Sequence, residues 1–430
     1  MKHYFSKNYI KEKLKEGGFR KHLKNVSWML GGRITSMFIS FIATLYIARH
    51  LGPTNYGQLS YALSVVGILG FIAPLGLDSV LYRELVKFPE RKNELLGTTL
   101  LLKLLAGILV ATGTFFITFF SNTDDVSRVL IFILSGTFLF NAFQIINFEF
   151  LSRSESKYQS VISVLVTIIL NILKILVLIL GKGVIYLSLI LLLESILYAA
   201  LYVFIYQKKI ENGIGKWTWN SSVAIMLLRD GFPVILVTGF TVIYARIDQI
   251  FIRHMIDVQS VGIYDAAVRL VDVWNFIPGA IVGALFPAIV RLQNSSITMY
   301  KIRMLKLAAL LTIIPLCLSL CTTFFAPLII KLLYGPSFIE SSAILRVYIW
   351  SAIGTSLGIL VQNSLIAKNE RALLVISSLV PMIVNVLLNI YWIPLYGIVG
   401  SAYATLFSYS LVPLTGLIPL KKITQAITLP

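Results

Sequence analysis

Apolar runs of about 20 residues recur from Val26 almost to the end of the chain, each long enough to cross a hydrocarbon layer about 30 Å thick. Short polar breaks separate them. A chain patterned in this way has nowhere in water to hide its side chains. Only 13% of the 430 residues are charged and 57% are hydrophobic, whereas soluble domains are about one quarter charged. In lipid every backbone N–H and C=O must be satisfied within the segment, and a helix does that locally. The expected fold is therefore an all-α polytopic membrane protein.

Spans are expected near 26–49, 59–82, 96–120, 128–151, 160–180 and 184–206, then near 224–247, 262–289, 305–330, 343–366, 373–393 and 397–419. That makes about 12 transmembrane helices in two six-helix halves around a central cavity. The chain divides into a basic N-terminal segment (1–25), a first half (26–206), a linker (207–222), a second half (223–420) and a tail (421–430). No small-residue cleavage site follows the first run, so no removable signal peptide is expected.

The net charge of +18 does not point to nucleic acid. Most of the 37 Lys and Arg fall in alternate short loops and the two tails, which is the positive-inside pattern. It places both termini in the cytoplasm, with the basic N-terminal segment able to lie on anionic lipid headgroups. Cys317 and Cys321 are one helical turn apart in an apolar run, a spacing for packing and not for a disulfide framework or metal site. No acid-His cluster suggests a hydrolytic centre. No Gly-rich, Lys-Ser/Thr nucleotide motif occurs, so no cofactor or direct ATP use is expected.

An internal echo links the halves. Arg49-His50 is followed by Gly57 and Tyr61, and Arg253-His254 by Gly262 and Tyr264. Each pair closes one span, with a turn before the next; Arg253, His254 and Asp257 are assigned to the external link after the seventh span. Two related halves with a site between them is a common transporter plan.

Ionisable groups within spans are costly, about 2.5–3.5 kcal/mol each at the bilayer centre, and mark candidate sites. Asp265, Arg269 and Asp272 are spaced to share one helix face. That face should look into a cavity, either as a self-neutralised network or as an anion site tuned by its acids. Arg33 stands on a face of Gly31, Gly32, Ser36 and Ser40, which suits close helix packing; its charge suits a water-filled lumen or an anionic substrate. Lys174 and Glu194 are the central charges of the fifth and sixth spans and either pair or act separately, as a cation contact and a protonatable acid. Asp78, Lys103, Glu149 and Arg346 lie near span ends, where snorkelling or local pairing accounts for them. Asp248 joins Asp78, Lys103 and Arg346 as a secondary candidate. Asn and Gln within the spans, Asn385 and Asn389 among them, suit interhelical hydrogen bonds or a cavity for sugar hydroxyls.

Several stretches together resemble the polysaccharide transporter family of the multidrug/oligosaccharidyl-lipid/polysaccharide exporter (MOP) superfamily. They are Arg-His-Leu-Gly-Pro-Thr-Asn-Tyr-Gly-Gln-Leu-Ser-Tyr-Ala at 49–62, Ile-Asp-Gln-Ile-Phe-Ile at 247–252, Val-Gly-Ile-Tyr-Asp-Ala-Ala at 261–267 and Ile-Pro-Gly-Ala-Ile at 277–281. Leu-Leu-Tyr-Gly-Pro-Ser-Phe at 332–338, Asn-Val-Leu-Leu-Asn at 385–389 and the stretch from Ile393 to Thr405 follow in order. The resemblance implies a MATE/MOP-like fold and a Wzx-type O-antigen or capsule repeat-unit flippase in the cytoplasmic (inner) membrane. Its cargo would be an undecaprenyl-diphosphate-linked oligosaccharide, moved from the inner to the outer leaflet by alternating access. Membrane lipids and polysaccharide polymerase or ligase machinery would be the other partners. A cationic lumen is implied too, which Arg33, Lys174 and Arg269 would supply, with Glu194, Asp265 or Asp272 carrying a coupling H+ or Na+.

Three other functions suit part of this pattern. A lipid II flippase would usually carry two further helices. A multidrug exporter would favour an acidic, aromatic-lined pocket for cationic drugs. A membrane-embedded glycan ligase or polymerase would need large external loops.

Overall fold

The computed structural model describes residues 17–121, 123–209, 213–293, 296–368 and 370–417. Residues 1–16 of the expected basic segment and the tail 421–430 lie outside the described residues. Helices dominate, and no strand occurs among the described residues. In chain order the α-helices are α1 (Gly17–Gly70), α2 (Leu77–Lys87), α3 (Lys92–Phe120), α4 (Asp125–Ser135), α5 (Thr137–Asn141), α6 (Ile145–Ser152), α7 (Ser156–Ile179) and α8 (Val184–Lys209). Then follow α9 (Ser221–Met255), α10 (Val258–Val290), α11 (Ile297–Leu333), α12 (Ser341–Tyr348), α13 (Ser351–Ala367), α14 (Arg371–Tyr396) and α15 (Ile398–Leu411).

Among the described residues, 10 helical stretches are long and apolar enough to cross a membrane, and the bent pair α12–α13 makes 11. The expected second span, 59–82, has no helix of its own. It is shared between the second arm of α1 and α2, because Leu75 and Gly76 take left-handed backbone angles (φ 53° and 61°) just after Pro74. α1 itself breaks at Gly52 (φ 70°, ψ 172°), followed by Pro53. A φ of that sign suits glycine, and proline supplies no N–H to continue the ladder.

The link expected after the seventh span is shorter than the sequence suggests. α9 continues to Met255 and α10 begins at Val258, so Asp248, Gln249, Arg253 and His254 are helical. Asp257 starts α10 by accepting the Ser260 backbone N–H at 2.7 Å, the usual work of an N-cap carboxylate.

Packing divides the chain into two compact units. Unit 1 is Met1–Thr44, Ile72–Thr123 and Arg128–Val234; unit 2 is Leu45–Phe71, Asp124–Ser127 and Ile235–Pro430. The division does not follow the linker, since the second arm of α1 belongs with the later helices.

The core of unit 1 holds Leu77, Leu81, Leu85, Leu95, Leu96, Phe150 and Tyr206, all fully enclosed. The linker docks on it. The Thr218 N–H donates to the Asn93 carbonyl at 3.2 Å, and Trp217 Nε1 donates to the Tyr206 hydroxyl at 3.1 Å. In unit 2, Val282, Phe286 and Ile289 of α10 pack with Leu307 and Leu311 of α11 and Leu360 of α13.

Candidate functional site

Within unit 2 three helix segments converge on Asp265, which is fully buried. Tyr56, Ser60 and Ser64 are four residues apart and form one polar face on the second arm of α1. The Tyr56 and Ser60 hydroxyls each donate to Asp265 Oδ2 at 2.9 Å. From α9, Gln249 Nε2 donates to Oδ1 at 2.7 Å, and Ser64 Oγ donates to the Gln249 side-chain carbonyl. That second bond turns the amide so that its NH2 faces the carboxylate.

Two guanidinium groups complete the set. Arg269 Nε, one turn along α10, lies 3.2 Å from Asp265 Oδ2, and Arg246 Nη1 of α9 lies 3.8 Å from Oδ1. Their side chains keep 30% and 28% of their surface accessible, while Asp265 keeps none. The carboxylate is thus an interior anchor for two cations whose free edges remain open to a ligand. Asp272, two turns along the same face, is exposed and interacts electrostatically with Arg246 and Arg269. Two arginines and two acids sum to no formal charge. Neutralising Asp272 alone would leave the cluster at one positive charge, with two accessible donor forks of the kind that grip phosphates.

Of the three residues placed on one face of α10, Asp265 and Arg269 pair directly, and their partners include residues that sequence reasoning did not assign: Arg246, Tyr56, Ser60 and Gln249. Arg246 immediately precedes the motif at 247–252, but its pairing with Asp265 of α10 is not local. The spacing of Tyr56, Ser60 and Ser64 in an apolar segment is the signal that could have found the polar face.

A second buried carboxylate sits near the first. Asp248 accepts hydrogen bonds from the Tyr264 hydroxyl at 2.5 Å, Thr405 Oγ1 at 2.5 Å and Asn389 Nδ2 at 2.8 Å. Ser401 Oγ in turn donates to Asn389 Oδ1 at 2.6 Å. Three donors from α10, α14 and α15 satisfy a group that would be very costly unpaired. Asp248 thus ties α9 to the last two spans.

The unit 1 candidates lie elsewhere in the chain. Lys174 Nζ of α7 donates to Glu194 Oε2 of α8 at 2.9 Å, with 11% and 30% of the side chains accessible. Lys103 pairs with Asp78, and Arg153 Nε with the buried Glu149 at 2.7 Å. Arg33 is exposed on the first arm of α1. Of its neighbours on that face, Gly32 and Ser36 pack against α7, with the Ser36 and Ser163 hydroxyls 3.1 Å apart. In unit 2, Arg346 is exposed on α12. No group of three or more His, Cys, Asp or Glu that could hold a metal ion occurs among the described residues.

A family model described as "Polysaccharide biosynthesis protein" matches residues 22–293, more than half of the chain. The probable low-salt glycan biosynthesis flippase Agl15 of Haloferax volcanii is 22% identical over 383 residues, covering 86% of this chain and 78% of the relative. Among solved structures, the lipid II flippase MurJ in an inward closed conformation matches with a TM-score of 0.72 at 16% identity, over 94% of this chain and 89% of that one. An inward-facing multidrug resistance MATE family transporter of the MOP superfamily matches with a TM-score of 0.71 at 14% identity, over 91% and 95%. At such identities the two structures establish a shared fold.

Proposed function

Because the chain belongs to the polysaccharide biosynthesis protein family, we propose that it is a flippase for a polyisoprenyl-diphosphate-linked oligosaccharide. The observation that carries this reading is the accessible pair Arg246 and Arg269, held on buried Asp265 within spans α9 and α10. Cations at membrane depth need a reason. An anionic diphosphate with a polar glycan and a lipid tail supplies one, since the tail stays in lipid while the head meets the guanidinium groups.

The fold alone does not separate glycan flipping from drug export, as MurJ and MATE structures match about equally well. The accessible groups of the site do favour one of them. A cationic drug would meet two arginines, whereas a diphosphate meets two donor forks. The carrier would be undecaprenyl diphosphate, and the glycan the repeat unit of an O-antigen, capsule or other surface polysaccharide. Movement would run from the inner to the outer leaflet of the cytoplasmic membrane by alternating access, with both termini cytoplasmic.

Ion coupling has a physical route at Asp272. Protonation there leaves the cluster cationic and ready for the diphosphate; loss of the proton restores neutrality and favours release. Asp265, already engaged by three neutral donors and two cations, serves to position the arginines. Glu194, partly accessible beside Lys174, is the corresponding candidate in unit 1.

The test is a leaflet assay in cells lacking the gene. A membrane-impermeant sugar-oxidising reagent is applied to intact spheroplasts and to detergent-opened ones. The lipid-linked oligosaccharide should accumulate on the protected inner face, and the wild-type gene should restore its exposure. Exposure of the lipid-linked unit on the outer face of deleted cells would defeat the proposal.

A further inference from the structure

Within unit 1 an open groove of about 500 Å3 runs between the first arm of α1 and α7. Trp28, Gly31 and Thr35 line one side; Val161, Val164 and Leu165 line the other. Ser160, which also lines it, is already engaged, since its Oγ donates to the Trp28 carbonyl at 2.7 Å. Two adjacent glycines shape the trough. Gly32 lets the helices close, as a Cβ there would lie 2.7 Å from Ser160 Cβ, while a Cβ on Gly31 would meet nothing within 4 Å.

One end of the groove is cationic. Lys157, exposed near the start of α7, holds its Nζ 5.9 Å from the centre of the Trp28 ring. Trp28, in the early turns of α1, meets the start of α7 there, and by the positive-inside pattern this side lies toward the cytoplasm. Apolar walls alone select nothing in a bilayer, because lipid tails are as apolar as the groove. Selection needs shape together with charge, and this groove offers an irregular apolar channel ending at an ammonium group.

We propose that this groove is the loading site for the cargo's polyisoprenoid tail, with the anionic head of the same molecule facing Lys157. The inference rests on the flippase reading and adds where the tail lies before the head moves. A methyl-branched isoprenoid fills the space left open at Gly31, and the groove's open side lets the remainder of the tail stay in lipid.

The experiment is photolabelling of the full-length protein in phosphatidylcholine nanodiscs. The probe is undecaprenyl phosphate with a diazirine on its tail; diazirine-bearing phosphatidylglycerol and undecaprenol are the comparisons. Label from the undecaprenyl phosphate should fall within residues 28–35 and 160–165, the two walls. Unlabelled undecaprenyl phosphate should compete, and phosphatidylglycerol should not. Gly31→Leu should abolish the label by filling the trough, and Lys157→Ala should lower it about fivefold, the effect of one surface cation on an anionic lipid. Should Gly31→Leu fail to fold, the exposed Lys157→Ala carries the test. Equal labelling by phosphatidylglycerol, or full labelling in the variant that folds, overturns the proposal. Absence of groove label in a protein that still flips its cargo sinks the groove alone. A protein that flips nothing sinks the flippase reading, whatever the label reports.

Discussion

Gly57 and Gly262 meet backbone to backbone in unit 2. A Cβ on Gly57 would lie 1.9 Å from the Val258 carbonyl oxygen, and one on Gly262 would lie 2.0 Å from that of Pro53. These glycines are the corresponding members of the internal echo, so the two echoed segments pack on each other. The contact also sets the site. Tyr56 and Ser60 flank Gly57, Asp265 follows Gly262 by one helical turn, and only a close crossing lets those hydroxyls reach that carboxylate.

Gly57→Ala and Gly262→Ala should each destabilise the protein by about 1–3 kcal/mol or more, as overpacking against backbone does. Gly31→Ala, with open space at its Cβ, should be close to neutral. Thermal unfolding of the purified protein in detergent measures this, and equal midpoints for all three would refute the crossing.

Arg269→Gln should cost about 1–3 kcal/mol of stability, because Asp265 loses a charged donor but keeps Tyr56, Ser60, Gln249 and Arg246. Adding Asp265→Asn should recover part of that loss while binding of the lipid-linked oligosaccharide stays low. Arg269→Lys should preserve stability better than binding, since an ammonium group has no planar donor fork. Binding retained at wild-type strength in Arg269→Lys and Arg246→Lys together would argue against a diphosphate at these residues.

Asp272→Asn should hold the cluster in its cationic state. Cargo should bind at least as tightly as in the wild type, yet flipping should stall and its dependence on pH should vanish. Flipping measured against external pH, with cargo binding in parallel, separates this from simple damage. Unchanged pH dependence would remove Asp272 as the carrier.

Glu194→Gln should leave Lys174 without its carboxylate and lower both stability and flipping. The double change Lys174→Met with Glu194→Met should restore stability, giving a coupling of about 0.5–3 kcal/mol in a double-mutant cycle. Flipping should stay lost in the double variant. Its recovery there would make the pair structural.

Asp124 predicts an acid sensitivity outside the spans. Partial burial opposes its charge, but the Ser127 N–H and the Arg253 guanidinium at 2.9 Å outweigh that and hold its carboxyl below the ordinary value of 3.8. A carboxyl lowered by folding stabilises the folded state fully above its ordinary value, and the contribution fades as pH falls through the lowered one. The thermal midpoint should therefore drop below pH 3.8 more steeply in the wild type than in Asp124→Asn. Parallel curves for the two proteins would exclude this contribution.

Local features of this molecule were legible in the chain itself. The apolar runs specify membrane helices because, in lipid, each segment must satisfy its own backbone. The one-face spacing of Asp265, Arg269 and Asp272 follows from helical geometry alone. Gly52-Pro53 falls in the turn expected between the first two spans and does interrupt α1, whereas the break after Pro74 lies inside the expected span 59–82. The choice of partners was not legible. Tyr56 and Ser60 lie 209 and 205 residues before Asp265, and Thr405 lies 157 after Asp248. Lys174 and Glu194 had two roles open to them until α7 and α8 packed together. The segment Leu45–Phe71 joins the later helices although it precedes the linker by more than a hundred residues. Lipid gives an apolar helix face little preference among neighbours, so pairing rests on a few close glycines and buried hydrogen bonds, and these exist only once the helices are assembled.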